Sequence, residues 1–319
     1  MLVNRRDFVK QAAIASAAAP ALVQAQSQGQ VQGQPQGEGQ RRRQERPERP
    51  LPPPGPPPLR IGMTDWNLGR RGDITKIALA RQIGLDGIQV SLQFPTDDSP
   101  HLRQLETQEA FKRAALENGI QICSLAIGNP GKSRLPMHTN PAFAVLLVEA
   151  VEVARNLGTN NILLPILGDS HIDMTSEAQV NSFVAMMKEV ARYAEKAGVV
   201  VGLEDWISAE DNIRLLDAIG SDYVAVYYDV RNIKSRLKQD PYHEPKLLGS
   251  RIHQIHVKNG PKLMSEPDIL DWPRLAQEYH AIGYRGWYVL ETGSPSGDLI
   301  ADTRANIEYV RNTFKMPDA

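Results

Sequence analysis

Four apolar runs in the C-terminal half of this chain each end on a side chain that can hold a metal ion or move a proton. V-V-V-G-L-E ends on Glu204 and V-A-V-Y-Y-D on Asp229. I-H-Q-I-H ends on His256, and G-W-Y-V-L-E on Glu291. Three carboxylates and one imidazole, gathered at one point, form a hard-to-borderline donor set with positions left for water and substrate. It suits one divalent ion, Mn²⁺ first, with Mg²⁺ or Co²⁺ as alternatives. Zn²⁺ also fits but more often brings extra His or Cys. The chemistry such a set supports is proton removal beside a carbonyl. A Lewis acid stabilises the resulting enediolate, and a pair of carboxylates can take a proton from one face and return it to another position.

The elements that must position these residues are legible in the pattern. From Leu59 onward, short apolar runs alternate with segments of helical period. L-R-I-G-M-T-D-W, D-G-I-Q-V-S-L, I-Q-I-C-S-L-A-I and N-N-I-L-L-P-I read as strands, followed by the four runs above. Helices are expected near 104–119, 141–158 and 176–197, several of them stopped by a glycine. Eight strand–helix units over about 260 residues have the size of a (β/α)₈ barrel, whose strand C-termini carry the chemistry. A doubly wound open sheet is the alternative, but G-x-G-x-x-G is absent. Strand parity places Glu204 with Val200 and Gly202, Asp229 with Ala225 and Tyr227, and Glu291 with Trp287 and Val289. His256 shares a face with Gln254 and Lys258. His253 falls on the opposite face and is expected to be structural.

The strand-end motifs L-E, Y-D-V-R-N, I-H-V-K-N and V-L-E resemble the sugar phosphate isomerase/epimerase family of xylose isomerase-like TIM barrels. The resemblance covers most of residues 59–315. It implies one divalent metal held by Glu204, Asp229, His256 and Glu291, with Glu204 and Glu291 as the paired acid and base. Departures from the family pattern concern substrate contacts. Asn232 stands where the epimerase branch often has His, Asn259 where many members have Asp, and Lys262 lies near the place of a common Arg. DNA-repair endonucleases share this barrel but use more His ligands, one of which Asn232 removes.

Further candidates have both a functional and a plain reading. Lys258 could hold a substrate oxygen or pair with Asp229. Trp66 and Trp206 could stack on a sugar face or simply pack. Asn232 and Glu210 could contact substrate, although Glu210 also reads as a solvated helix start. His171, in G-D-S-H-I-D, is the best placed of the loop histidines, ahead of His101 and His138. His243 and His280 read as surface residues.

Composition narrows the classes. One cysteine in 319 residues excludes a disulfide framework and a thiolate cluster. The formal charge is −1, with +4 on residues 1–50 and −5 on the rest, which gives no reason to expect nucleic acid. Residues 1–25 read as a signal peptide. Paired Arg5 and Arg6, with Phe8 and Lys10, resemble the twin-arginine signal, and V-Q-A offers a cleavage site. That resemblance implies the twin-arginine export machinery as a partner and a periplasmic location. The apolar run is too short and Ala-rich for a stable transmembrane segment. Residues 26–58, rich in Gln, Gly, Pro and Arg, read as a disordered linker, which leaves residues 59–319 for the barrel. The sequence reading is an exported isomerase/epimerase of a small carbohydrate. A metal-dependent lyase or hydratase on a keto-sugar and a non-catalytic sugar-binding protein are the alternatives. A homo-oligomer is left open.

Overall fold

Runs rich in valine, isoleucine and leucine become strands buried on both faces, as parallel sheets require. The structure is a computed structural model and describes residues 59–93, 99–128 and 140–315. The expected signal peptide, linker and His138 lie outside the described residues. The strands are β1 (Arg60–Thr64), β2 (Gly87–Leu92), β3 (Gln121–Ile127), β4 (Asn161–Ile166), β5 (Val200–Asp205), β6 (Val224–Asp229), β7 (Ile252–Val257) and β8 (Trp287–Leu290). Each pairs in parallel with its neighbour in chain order, and β8 pairs with β1 to close the barrel. The expected (β/α)₈ architecture is the one found.

Among the described residues, eight helices surround it: α1 (Thr75–Ile83), α2 (Leu105–Asn118), α3 (Pro141–Leu157), α4 (Glu177–Ala197), α5 (Ala209–Ile219), α6 (Glu244–Leu248), α7 (Trp272–Ala281) and α8 (Leu299–Phe314). Their ends follow local chemistry. The Ser208 hydroxyl accepts from Asp211 N at 3.1 Å, and Asp298 accepts from Ala301 N at 3.0 Å, capping α5 and α8. Gly198 stops α4 at φ 68°, a left-handed conformation that other residues adopt at a cost. The regular alternation breaks after β6. A short helical turn, Val230–Asn232, runs into a wide turn, Ile233–Leu237, before the five-residue α6. Pro241 and Pro245 deny this stretch a longer helix.

Two register shifts set what faces what inside the barrel. One, between Val226 and Tyr227, brings Asp229 level with His256. The other, between Ile88 and Gln89, brings Gln89 level with Ser124. The barrel floor is filled by Cys123, Trp287 and Val289. Gly87 makes room for them, since a Cβ there would lie 2.7 Å from the Trp287 ring. Above this layer pack Ala126, Leu163 and Tyr227, with Trp66 against them. A cavity of about 660 Å³ opens at the N-terminal face, among Arg60, Lys112, Arg113, Gln121 and Trp287. It lies at the opposite end of the barrel from the four strand-end ligand candidates.

Candidate metal centre

Glu204, Asp229, His256 and Glu291 converge at the C-terminal mouth. One ligand atom from each lies within 4.8 Å of all the others. His256 is fully buried. Its Nδ1 lies 3.4 Å from Glu204 Oε1, 3.8 Å from Asp229 Oδ2 and 3.6 Å from Glu291 Oε2. That nitrogen has no hydrogen-bond partner among the described residues. A buried ring nitrogen aimed at three carboxylates is what a metal site needs. The donor set agrees: with His256 neutral, the three carboxylates and the nearby Lys258 ammonium carry a formal charge of −2, which a divalent ion balances.

Lys258 continues the inward face of β7. Its ammonium pairs with Asp229 Oδ2 and donates to Glu291 Oε2 at 2.8 Å. The pairing with Asp229, the plain reading of this residue, is therefore present, and it lies inside the cluster. Burial alone would raise the Asp229 carboxyl, but Lys258 and His256 outweigh it and hold the group below the usual carboxylate range. Glu204 moves the other way. Burial raises it, with His256 opposing. Burial works against charge on His256, yet Glu291, Asp229 and Glu204 push it up to about 10. Burial likewise opposes charge on Lys258, and Asp229 and Glu291 override it and push the amine up.

The supporting residues come from every side of the barrel. Trp66, in the turn after β1, donates from Nε1 to Glu291 Oε1 at 3.3 Å, and its ring meets the His256 ring edge-on at 6.4 Å. The buried Asp65 ties that turn to β2, accepting from Gly72 N, Ser91 N and the Ser91 hydroxyl. Asn232 donates its backbone N–H to Asp229 Oδ1 at 3.0 Å, and its side-chain amide reaches Glu204 Oε1 at 3.4 Å. Asn232 thus braces two cluster carboxylates. Arg231 pairs with Asp268 at 3.0 Å, joining the loops after β6 and β7. Gln89 was not singled out from the sequence. It is fully buried on β2, and its Oε1 lies 3.2 Å from His256 Nε2. Inward parity with Gly87 and Ser91 was the available signal.

The other sequence candidates sit outside this cluster. Trp206 is half-buried, 6.5 Å from the His171 ring, with the Arg236 guanidinium 5.0 Å from its centroid. The indole N–H of Trp206 and Nδ1 of His171 are buried and lack hydrogen-bond partners among the described residues. Glu210 is exposed in the first turn of α5, where a carboxylate complements the helix dipole. Lys262 is exposed and donates to Pro267 O at 2.6 Å. Asn259 is buried and holds its own loop, donating to Leu263 O and Glu266 O. The His101 ring accepts from Arg103 N. His243 is exposed, as expected. His280 differs from the surface reading, being half-buried with Nε2 3.0 Å from Phe314 O.

A family model described as a xylose isomerase-like TIM barrel matches residues 77–313. The chain belongs to that family. No curated protein matches it at a significant level. Among solved structures, the fold is similar to a D-psicose 3-epimerase from Clostridium cellulolyticum H10, with a TM-score of 0.67 and 16% identity over 81% of this chain and 100% of that one. A xylose isomerase domain protein from Planctomyces limnophilus matches with a TM-score of 0.67 and 16% identity, covering 82% of this chain and 98% of that one. A 3-keto-D-glucoside 4-epimerase from E. coli matches with a TM-score of 0.64 and 14% identity, covering 80% and 100%. Likeness at these identities is one of fold. Within this xylose isomerase-like barrel, the described residues include no helix long and apolar enough to cross a membrane.

Proposed function

We propose that the chain is a divalent-metal-dependent isomerase or epimerase that acts on a keto-sugar or related hydroxy-ketone through an enediolate. The observation that carries this reading is the convergence of Glu204, Asp229, Glu291 and the unpartnered His256 Nδ1 at the barrel mouth. Family membership and solved neighbours named as sugar epimerases support it.

Glu204, Asp229, His256 and Glu291 would hold the ion. When bound, a divalent ion supplies Lewis acidity, drawing electron density from a substrate carbonyl and lowering the cost of negative charge on its oxygen. The chain's own residues move the protons. Glu204, raised by burial, is poised to exchange a proton rather than stay fixed as an anion. Glu291 is held on both oxygens, by Trp66 on Oε1 and Lys258 on Oε2, so its carboxylate plane is fixed relative to the cluster. One carboxylate removes the proton beside the carbonyl. The other returns a proton to the opposite face, giving an epimer, or the pair moves it to the neighbouring carbon, giving an isomer. Lys258 keeps a positive charge beside the site throughout.

The test is a panel of keto-sugars and keto-glycosides incubated in D₂O with protein and added Mn²⁺. Metal-dependent deuterium uptake at carbon beside the carbonyl is the expected result, and the product separates isomerase from epimerase from lyase. No uptake with any member, from protein that has bound Mn²⁺, would count against the reading.

A further inference from the structure

Gln89 and His256 lie 167 residues apart and meet across the barrel interior. Gln89 is fully buried on β2, and its amide has one oxygen and one NH₂ to place. The NH₂ lies 2.5 Å from Ser124 Oγ on β3 and 3.2 Å from Tyr227 OH on β6. Its oxygen faces His256 Nε2 at 3.2 Å. Ser124 and Tyr227 are themselves buried, and the Tyr227 ring packs on the His256 ring at 4.6 Å between centroids. The amide could turn over only by presenting its NH₂ to His256 Nε2. That orientation would put the ring proton on Nδ1, pointing into three carboxylates, and would leave no lone pair there for a metal.

Resting on the metal-centre reading above, we propose that Gln89 is the positioning residue that fixes the ligation mode of His256. Its oxygen accepts the Nε2–H, which selects the tautomer whose Nδ1 lone pair faces Glu204, Asp229 and Glu291. In that orientation the Ser124 and Tyr227 hydroxyls accept from its NH₂, so both ends of the amide are satisfied. An outer partner of this kind both orients a histidine ligand and increases its basicity. Losing one typically weakens metal affinity about 10–100-fold. No contact between Gln89 and substrate is involved.

The test compares wild type, Gln89→Leu and Gln89→Glu. Mn²⁺ affinity is measured by calorimetry, and ¹⁵N spectra of the His256 ring are recorded on Zn²⁺-loaded protein. Wild type is expected to show a protonated Nε2 and a metal-bound Nδ1. Gln89→Leu removes the acceptor and should weaken Mn²⁺ binding about 10–100-fold. Gln89→Glu keeps an acceptor at the same place and should preserve the wild-type ring spectrum. If the leucine variant fails to fold, the glutamate variant still decides, because a spectrum with the proton moved to Nδ1 overturns the proposal. So does a folded leucine variant with wild-type affinity and spectrum, which leaves the metal centre itself intact. Wild-type protein that binds no metal overturns both.

Discussion

Trp66 and Glu291, 225 residues apart in sequence, are joined at the barrel mouth by a 3.3 Å hydrogen bond from the indole N–H to Oε1. The sequence left Trp66 between stacking on a sugar face and simple packing. Its contact with the carboxylate makes it part of the frame that aims Glu291. Trp66→Phe keeps an aromatic ring, though a smaller one, and removes the donor. A hydrogen bond to a charged group contributes about 1.5–3 kcal/mol, so turnover should fall roughly 10- to 100-fold if that bond is used in the transition state. Steady-state kinetics separate the two roles: a fall mainly in kcat supports aiming, and a rise in KM alone supports stacking.

Lys258 touches two of the three cluster carboxylates. Replacing it with methionine leaves Asp229, a nearly fully buried residue, without its cation. Breaking a buried ion pair from one side costs about 3–5 kcal/mol. Urea unfolding of Lys258→Met in chelator should show a loss of that order. Mn²⁺ should recover most of it, because the ion supplies the missing positive charge. An equal loss with and without Mn²⁺ would mean that Lys258 acts through packing alone.

Glu204→Gln and Glu291→Gln each remove one of the two carboxylates proposed to transfer protons. General acid–base groups contribute about 10²–10⁴-fold, so each variant should lose at least about a hundredfold in turnover. Metal content is measured on the same samples, since both residues are also proposed ligands. A variant that is metal-loaded and nearly fully active would remove that residue from the acid–base pair.

Glu244, behind the site, accepts from Tyr228 OH and Ala209 N. Burial pushes its carboxyl up from 4.5 to about 7. The folded chain therefore keeps a proton that the unfolded chain has released. This contribution to stability is fully present below pH 4.5 and is lost as pH rises through 7. Glu244→Gln keeps one acceptor oxygen, puts an NH₂ in place of the other, and removes the titration. Chemical denaturation of both proteins across that range should show a wild-type decline, on the order of 3 kcal/mol at most, that the variant lacks. Parallel curves would contradict the assignment.

The fold was legible because both signals are local. Apolar runs and glycine stops locate α2, α3 and α4 to within a residue or so of where they lie. The four ligand candidates were legible because strand parity and strand direction together fix both face and end. The supporting shell was not legible, for a physical reason. Gln89 and Tyr227 meet His256, and Ser124 meets Gln89, only once the barrel closes and two register shifts have set their heights. Nothing within a dozen residues of Gln89 marks it as different from any inward polar residue. Lys258 illustrates the limit from the other side. Parity placed it inward, but the choice between substrate contact and ion pair depended on side-chain reach, which only the assembled mouth supplies. Asn232 was noted as a departure from the family pattern, yet its bonds to Asp229 and Glu204 depend on the turn that follows β6.

The central claim is that one divalent ion sits among Glu204, Asp229, His256 and Glu291. Anomalous diffraction from crystals grown with Mn²⁺ tests it most directly. The account predicts a single strong peak bonded to His256 Nδ1 and to an oxygen from each of the three carboxylates, with Gln89 Oε1 still on His256 Nε2. Crystals grown in saturating Mn²⁺ with no peak there, and with His256 Nδ1 still facing bare carboxylates, would contradict it.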